Sequence, residues 1–209
     1  MDKFYLYGAS GHGKVIAEIA EVLGFKITGF VDANKDLKQI LDYKVVHEVP
    51  DNATSLVISI GYNNIRKRIT LEHPDLEYKT LIHPNAAIST RSFVKEGTVV
   101  MAGVTVNSDV EIGKHCIINT NASIDHDCII GDYVHISPNA SLGGNVTVGE
   151  GTHVGLGASV IQNITIGKWS TIGAGAVIIR DVPDGVTVVG NPGRILEEVE
   201  SEVEEVVEL

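Results

Sequence analysis

The C-terminal half of the chain repeats an aliphatic residue every six positions. A small or β-branched residue often stands two positions before the aliphatic. Glycine often follows it, as at Gly113, Gly131, Gly143, Gly149, Gly155, Gly167 and Gly173. A period of six fits a short strand, a tight corner and another short strand, with the aliphatics inward and glycines supplying the corner dihedrals. The repeat therefore predicts a parallel β-helix of sixteen hexads, centred on Ile88, Val94, Val100, Val106, Ile112, Ile118, Ile124, Ile130, Ile136, Leu142, Val148, Val154, Val160, Ile166, Ile172 and Ile178.

The N-terminal part has a different pattern. The stretch "KFYLYGASGHGKVIAEIAEVLGF" predicts a strand, a glycine turn and a helix with apolar residues at helical spacing. "KITGFVDAN" predicts a second strand ending at Asp32, and "TSLVISIGYNN" a third, followed by a helix around 63–72 that carries Arg66, Lys67 and Arg68. We predict a three- or four-stranded Rossmann-like α/β domain over 1–82. The β-helix should cover 83–194, and an acidic amphipathic helix over 195–209 should cap its last coil.

Composition narrows the class of protein. The chain has 209 residues, 44% of them hydrophobic, and lacks the long apolar run of a membrane span. Its start lacks the pattern of a secretory signal. The net charge of −11 disfavours non-specific nucleic-acid binding, and two cysteines do not make a disulfide framework. We expect a cytoplasmic protein without a nucleic-acid partner or a membrane span.

The glycine turn "GASGHG" is a candidate phosphate site. Its spacing is G-x-x-G-x-G, which differs from the dinucleotide pattern G-x-G-x-x-G. Small residues before a helix nevertheless bring main-chain N–H groups onto a phosphate. Asp32 could accept hydrogen bonds from a nucleotide's sugar or base, and a tight turn without a ligand is the alternative. About eighty residues are few for a whole NAD, so a nucleotide-linked substrate is the better fit.

Four segments together carry a family resemblance that extends to about Leu196. The order of "YGASGHGKV", "SIGYNNIRKRI", the hexapeptide repeat and "VVGNPGRIL" resembles the hexapeptide-repeat sugar acetyltransferases. These include the bacterial UDP-4-amino-sugar N-acetyltransferases of glycan synthesis and the sialic acid O-acetyltransferase-like proteins. The resemblance implies a left-handed β-helix with three hexads in each coil, just over five coils here. It also implies a homotrimer with active sites between subunits, acetyl-CoA as co-substrate and no metal.

The resemblance also implies roles for individual residues. His126 matches the catalytic histidine and Asp127 its acidic neighbour, while His135 matches a CoA-contacting histidine. The nucleotide-sugar site would include Ser10, Gly11 and His12 at the diphosphate, Asp32 at the uridine, and Gly61 and Asn64 in the same pocket. Gly193 departs from the family's G-x-P-A-K/R ending, although Arg194 is retained for the phosphate end of CoA.

The chemistry of amine acetylation requires a general base, and His126 is suited to that role. A protonated amine cannot attack a thioester, so a general base must remove its proton, and histidine has the suitable pKa. A neighbouring carboxylate such as Asp127 can orient the ring and stabilise its protonated form. A coil of 18 residues would stack His126 with Ser108, Gly144 and Gln162, and Gly144 would leave room for the acetyl group. Leu156, Gly173 and Ala174 would line the CoA channel on a facing corner.

Other functions remain open from the sequence. The acceptor could be sialic acid, another free sugar or serine, which would make the chemistry O-acetylation. The chain could also be a non-catalytic sugar-nucleotide binder or a solenoid that only binds or spaces. His135 and His153 stack at 18 residues, which raises a γ-class carbonic anhydrase, but its His-x4-His pair is missing. The glycine turn with Asp32 favours a nucleotide-linked acceptor, without deciding between UDP and GDP.

Overall fold

The computed structural model of the chain describes residues 3–196. Its N-terminal domain is one six-stranded sheet, ordered β3-β4-β2-β1-β5-β6, with two helices. The three predicted strands are the adjacent parallel strands β2, β1 and β5, and the second predicted helix has the observed bounds. The elements are β1 (Phe4–Tyr7), α1 (Gly11–Val22), β2 (Ile27–Val31), β3 (Gln39–Ile40), β4 (Tyr43–Val46), β5 (Ser55–Ile58), α2 (Asn63–Glu72) and β6 (Glu77–Tyr78).

The sheet is wider than the sequence predicted. The expectation of three or four strands was wrong, because β3, β4 and β6 are short edge or near-edge strands without a long apolar run. Strand β3 runs antiparallel to β4, whereas the other pairs in the sheet are parallel.

The remaining strands form a parallel β-helix with three faces. The first face contains β7 (Leu81–Ile82), β10 (Val99–Val100), β13 (Ile117–Ile118), β16 (His135–Ile136), β19 (His153–Val154), β22 (Thr171–Ile172), β24 (Thr187–Val189) and the antiparallel β25 (Arg194–Ile195). The second face contains β8 (Ala87–Ile88), β11 (Thr105–Val106), β14 (Ser123–Ile124), β17 (Ser141–Leu142), β20 (Ser159–Val160) and β23 (Val177–Ile178). The third face contains β9 (Phe93–Val94), β12 (Glu111–Ile112), β15 (Ile129–Ile130), β18 (Thr147–Val148) and β21 (Thr165–Ile166).

The hexapeptide prediction is confirmed strand by strand. Each of the sixteen predicted aliphatic residues is the second residue of one strand from β8 to β23. Most of them belong to a single buried cluster that fills the interior of the solenoid. Burying one such side chain contributes roughly 1.5–3 kcal/mol, so the interior column is the main source of stability in this domain.

The corners use a different position from the one that the glycines suggested. Residues with positive φ recur every six positions from Gly97 to Gly175, three residues after each aliphatic, and include Asp127, Tyr133 and Trp169. Glycines directly after the aliphatic, such as Gly131, have no positive φ. A Cβ on Gly131 would lie 2.7 Å from the main-chain nitrogen of Glu150 in the next coil. These glycines are therefore required by close stacking of coils, and the assignment of corner dihedrals to them was wrong.

The two domains share one apolar interface. The outward-facing residues Leu81, Val99 and Ile117 of the first face are buried in one cluster with residues of β1 and α1. Farther along the same outward column, the aliphatic residues give way to His135 and His153, which pair in register. The apolar contact therefore fixes the N-terminal domain over the first coils and leaves polar side chains beneath its edge.

The predicted boundaries need small changes. Strand β7 pairs with β10, so the β-helix begins at Leu81, inside the segment predicted as the first domain. Ile195 pairs antiparallel with Val188, so the predicted tail loses its first residue to β25. The rest of the predicted helix lies, except for Leu196, outside the described residues. None of the described helices is long and apolar enough to cross a membrane.

Candidate active site

His126 and Asp127 form an exposed pair at the corner between the second and third faces. Nδ1 of His126 lies 2.7 Å from Oδ2 of Asp127, and the side chains are 59% and 61% exposed. Asp127 has a φ of 60°, a left-handed conformation that aspartate tolerates better than most residues. A hydrogen bond from Nδ1–H to the carboxylate leaves Nε2 with its lone pair, as a general base requires.

The preceding residue holds the corner in place. Oδ1 of Asp125 accepts hydrogen bonds from the main-chain N–H of His126 at 2.8 Å and from Nδ2 of Asn107 at 2.7 Å. The hydrogen bond with Asp127 and the charge of Asp125 raise the pKa of His126 above its usual value. In the sequence Asp-His-Asp, Asp125 thus fixes the main chain and Asp127 orients the ring of His126.

Gly144 lies directly against the ring of His126. A Cβ at this position would be 2.6 Å from Cε1 and 2.7 Å from Nε2 of the imidazole, and the φ of Gly144 is not left-handed. Packing against His126, rather than backbone strain, therefore requires glycine here. The predicted stacking of the two residues is present, while a role for Gly144 in holding CoA remains a prediction.

The glycine turn of the N-terminal domain presents an open helix N-terminus. Ser10 precedes α1, and its hydroxyl makes no capping hydrogen bond. No acidic residue stands in the first turn of the helix. A Cβ on Gly11 would have no neighbour within 4 Å, whereas one on Gly13 would collide with the main chain of Gly8. Gly13 is required by the fold, but Gly11 leaves open space above the first helical N–H groups.

Asp32 has a structural task at the end of β2. Its Oδ2 accepts the main-chain N–H of Ala9 at 2.8 Å, and its Oδ1 accepts that of Asn34 at 2.9 Å. The carboxylate therefore holds the glycine turn to the neighbouring loop. Each carboxylate oxygen can accept a second hydrogen bond, so a ligand contact by Asp32 is compatible with this role.

The turn before α2 closes one side of a cavity between the domains. This interdomain cavity has a volume of about 390 Å³ and is lined by Gly61, Tyr62, Asn63, Asn64, His135, Gly151, His153, Trp169, Ser170 and Thr171. A Cβ on Gly61 would have no neighbour within 4 Å. Nδ2 of Asn63 donates to the carbonyl oxygens of Gly151 and Thr152, which ties the turn to the β-helix.

His135 lies at the base of this cavity, away from the His126 corner. Only 9% of the residue is exposed, and its ring stacks on that of His153 with a centroid distance of 4.7 Å. Nδ2 of Asn119 lies 3.1 Å from Nε2 of His135, and the ring of His12 is 6.4 Å from that of His135. Burial lowers the pKa of His135 to about 3 and that of His12 to about 4. Both histidines are therefore neutral at physiological pH.

The other residues predicted for CoA lie on the first-to-second corner or beyond it. Leu156 is 55% exposed there, and Ala174 stands one coil farther along. Gly173 is required by packing, because its Cβ would lie 2.8 Å from Cγ1 of Val189. Arg194 is exposed in β25.

Within one chain the predicted site is divided. His126 and Gly144 occupy the second-to-third corner, Leu156 and Ala174 occupy a different corner, and the interdomain cavity opens beside the first face. The cavity and the His126 surface have no lining residue in common. The structure therefore does not bring all the predicted residues together in a single subunit.

The cysteines are structural. Cys116 and Cys128 are buried free thiols whose Sγ atoms donate to the carbonyl oxygens of Gly131 and Gly143. Burial raises the pKa of Cys116 to about 12 and also raises that of Cys128, so neither is poised as a nucleophile. Within residues 3–196, no group of three or more His, Cys, Asp or Glu side chains is arranged to hold a metal ion.

Comparisons with known proteins identify relatives of this chain. Residues 3–72 match the family described as the PglD N-terminal domain. The UDP-N-acetylbacillosamine N-acetyltransferase of Bacillus subtilis is 42% identical over 119 aligned positions, covering 49% of this chain and 52% of the relative. The match thus spans about half the length of that curated relative.

Solved structures extend the similarity to nearly the whole chain. Perosamine N-acetyltransferase from Caulobacter crescentus, a His-to-Asn mutant in complex with CoA and GDP-perosamine, is 34% identical with a TM-score of 0.89, covering 95% of this chain and 98% of that one. The acetyltransferase domain of PglB from Neisseria gonorrhoeae is 37% identical with a TM-score of 0.88, covering 94% and 100%. The chain belongs to the hexapeptide-repeat sugar N-acetyltransferases.

Membership of the sugar N-acetyltransferases confirms the predicted family and acyltransferase class. It also confirms the α/β domain followed by a left-handed β-helix. The PglB domain has also been solved with acetyl coenzyme A, which agrees with the predicted co-substrate of the family.

Two residues beside the interdomain cavity were not assigned from the sequence. Asn63 anchors the turn, and Arg66 is buried although it lies in the charged run "RKR". Helical spacing could have indicated that Asn63 and Arg66 share a buried face, because residues three and four apart lie on the same side of a helix. The buried face of α2 contains Asn63, Arg66, Ile69 and Thr70.

Proposed function

We propose that this protein transfers the acetyl group of acetyl-CoA to the 4-amino group of a nucleotide-linked amino-dideoxy sugar for bacterial glycan synthesis, with UDP as the favoured nucleotide. The observation that carries the proposal is the oriented pair of His126 and Asp127, with Nδ1 and Oδ2 2.7 Å apart beside Gly144. An exposed, oriented histidine on a fold shared with amino-sugar N-acetyltransferases is suited to removing a proton from an amine.

In the proposed reaction, Nε2 of His126 takes a proton from the amine as its nitrogen attacks the thioester carbonyl carbon. The C–N bond forms, the C–S bond breaks, and CoA leaves as the thiol after receiving a proton from the imidazolium. Asp127 keeps the ring oriented through Nδ1 and stabilises the imidazolium. The pKa shifts support direct transfer, because burial raises the pKa of both thiols and leaves no cysteine suited to an acyl-enzyme.

A homotrimer would complete the site. His126 stands on one corner, and the CoA residues predicted at Leu156, Gly173 and Ala174 stand on or beside another. A three-fold arrangement lets one subunit's corner face a different corner of its neighbour. The nucleotide-sugar would lie at the glycine turn and interdomain cavity, with Ser10, Gly11, His12, Asp32, Gly61 and Asn64 around it. Acetyl-CoA would also contact Gly144, His135 and Arg194, and buried free cysteines fit a cytoplasmic location.

The relatives differ in the nucleotide that their substrates contain. The curated relative is named for a UDP-linked sugar, and the perosamine N-acetyltransferase is named for a complex with a GDP-linked one. We favour UDP because of the resemblance to the UDP-4-amino-sugar N-acetyltransferases, and because the curated relative, 42% identical over 49% of this chain, is named for a UDP-linked sugar. The GDP-linked substrate must therefore be an arm of the experiment.

The test measures thiol release from acetyl-CoA by the purified full chain. The acceptors are UDP-4-amino-4,6-dideoxy-N-acetylglucosamine, GDP-4-amino-4,6-dideoxymannose, sialic acid and serine. We expect fast release with the UDP-amino sugar. Fast release with the GDP-amino sugar would overturn the UDP assignment while keeping N-acetylation. Release only with sialic acid or serine would overturn N-acetylation in favour of an O-acetyltransferase, the alternative function.

A further inference from the structure

Arg66 is the largest fully buried side chain of the described chain, and it joins the two domains. It lies in α2 of the N-terminal domain and is 1% exposed. Its Nε donates to the carbonyl oxygen of His115 at 3.0 Å, and its Nη2 donates to that of Tyr133 at 2.7 Å. Both carbonyls belong to corners of the β-helix. The guanidinium group is thus inserted between coils of the other domain.

The same guanidinium also holds the turn that closes the interdomain cavity. Nη1 donates to the carbonyl oxygens of Ile60 and Gly61, at 3.2 and 3.0 Å. Gly61 lines the cavity, and His135 follows the corner that Nη2 contacts. The charge of Arg66 therefore lies directly behind two residues of the cavity wall.

Every hydrogen bond of Arg66 goes to a neutral carbonyl oxygen. Among the described residues it has no carboxylate within ion-pair distance. Acidic residues nearby have other partners: Glu150 pairs with Lys67, and Asp132 accepts the main-chain N–H of Lys114. Buried charges in proteins are usually paired, because an unpaired charge in a low-dielectric interior is costly. In a chain of net charge −11, an uncompensated buried cation is unexpected.

The surroundings of this cation are suited to an anion. The open N-terminus of α1 carries the positive end of a helix dipole, and the ring of His12 in its first turn lies 6.4 Å from that of His135. Nε2 of His12 is buried with no hydrogen-bond partner among the described residues. Gly11 and Gly61 flank open space, and nothing in the fold requires glycine at either position. The carboxylate of Asp32, at the end of β2, already accepts the main-chain N–H groups of Ala9 and Asn34.

We infer that Arg66 is a positioning residue whose unneutralised charge makes the space between the α1 N-terminus and Gly61 a site for the diphosphate of the nucleotide-sugar. The inference rests on the proposed function, which supplies the diphosphate. Arg66 does not touch the ligand. It acts through Gly61 and the His135 corner, which it holds in place, and through its field. On binding, the diphosphate supplies the missing counter-charge.

The experiment measures binding of UDP and GDP to the full chain by calorimetry at pH 6.5, because a mildly acidic pH favours the protonated form of a buried lysine. Arg66→Met removes the charge, and Arg66→Lys keeps it but cannot reproduce the fork of hydrogen bonds. We expect the Kd of UDP to rise about tenfold in Arg66→Met, the factor expected for charges on the order of 10 Å apart at an effective dielectric constant near 20. Arg66→Lys should stay close to wild type. Lys67→Met, one residue away and paired with Glu150, is the matched control and should change little.

Two outcomes would overturn the inference. Equal loss of affinity in Arg66→Met and Arg66→Lys would mean that the hydrogen-bond fork alone matters. Failure of inorganic pyrophosphate to compete with UDP for the wild-type chain would mean that the space is not a diphosphate site, and this measurement requires no variant to fold. If wild type binds neither UDP nor GDP, the proposed function fails first, which is a distinguishable result.

Discussion

Nδ1 of His126 lies 2.7 Å from Oδ2 of Asp127, although the two residues are neighbours in the chain. Neighbouring side chains on a regular strand point to opposite sides and cannot meet in this way. The left-handed φ of 60° at Asp127 breaks the alternation at the corner. A residue adjacent in sequence thereby becomes the orienting partner of the base.

Replacing Asp127 with asparagine should lower kcat while leaving stability unchanged. Asparagine occupies the same left-handed corner position at Asn145 and Asn163, so the fold accommodates it. The loss of the carboxylate removes the acceptor and the charge that stabilise the imidazolium, and we expect kcat to fall roughly tenfold or more. Asp109→Asn, at the equivalent corner one coil earlier, is the matched control. An equal fall in both variants would contradict a specific role for Asp127.

The pH dependence of kcat/KM should report the same pair. The base must be neutral, and its hydrogen bond with Asp127 raises the pKa of His126, so activity should rise with pH through a midpoint above the usual histidine value. Asp127→Asn removes the largest cause of the raised pKa and should move that midpoint to lower pH. The substrate amine titrates identically in both enzymes, so the difference isolates His126. If the midpoint did not move in Asp127→Asn, the rise of activity with pH would belong to the titration of another group.

Gly144→Ala should impair catalysis without unfolding the protein. The added Cβ would lie 2.6 Å from Cε1 of His126, and the exposed ring can move away at little cost to stability. A displacement of about 1 Å can cost on the order of 100-fold in rate. Gln162→Ala, farther along the same stacked column, should retain activity. Full turnover by Gly144→Ala would show that the ring position is unimportant.

The close stacking of coils predicts an effect on stability. Gly131→Ala would press a Cβ to 2.7 Å from the main-chain nitrogen of Glu150, and we expect a loss of roughly 1–3 kcal/mol, measured as a lower Tm. Asn139→Gly keeps the left-handed φ of its exposed corner residue and should leave the Tm nearly unchanged. If Asn139→Gly lowered the Tm more than Gly131→Ala, the assignment of stacking to Gly131 would be wrong.

The sequence was informative where chemistry repeats or lies in adjacent residues. The aliphatic period located the sixteen strands from β8 to β23, because each interior position must be apolar in every coil. The pairing of His126 with Asp127 could be predicted from the sequence because the two residues are neighbours. The left-handed corner conformation could not be predicted from residue type, since glycine, asparagine, tyrosine and tryptophan all adopt it.

Residues that act across the domain interface were harder to predict. His135 was assigned from family resemblance, but its burial against His153 and its approach to His12 depend on how the domains pack. Arg66 looked like one of three charged helix-surface residues. Its burial follows from carbonyl oxygens that come from both domains, which no local pattern in the sequence records.

The rate of acetyl transfer in a single turnover, compared between wild type and His126→Gln, measures the contribution of the base directly. Glutamine stands at Gln162 in the same corner column, so the substitution suits the backbone. With the amino-sugar acceptor found for the wild-type chain, we predict a fall of roughly 10²- to 10⁴-fold in rate, with acetyl-CoA affinity and Tm unchanged. Full-rate transfer by His126→Gln would contradict His126 as the general base.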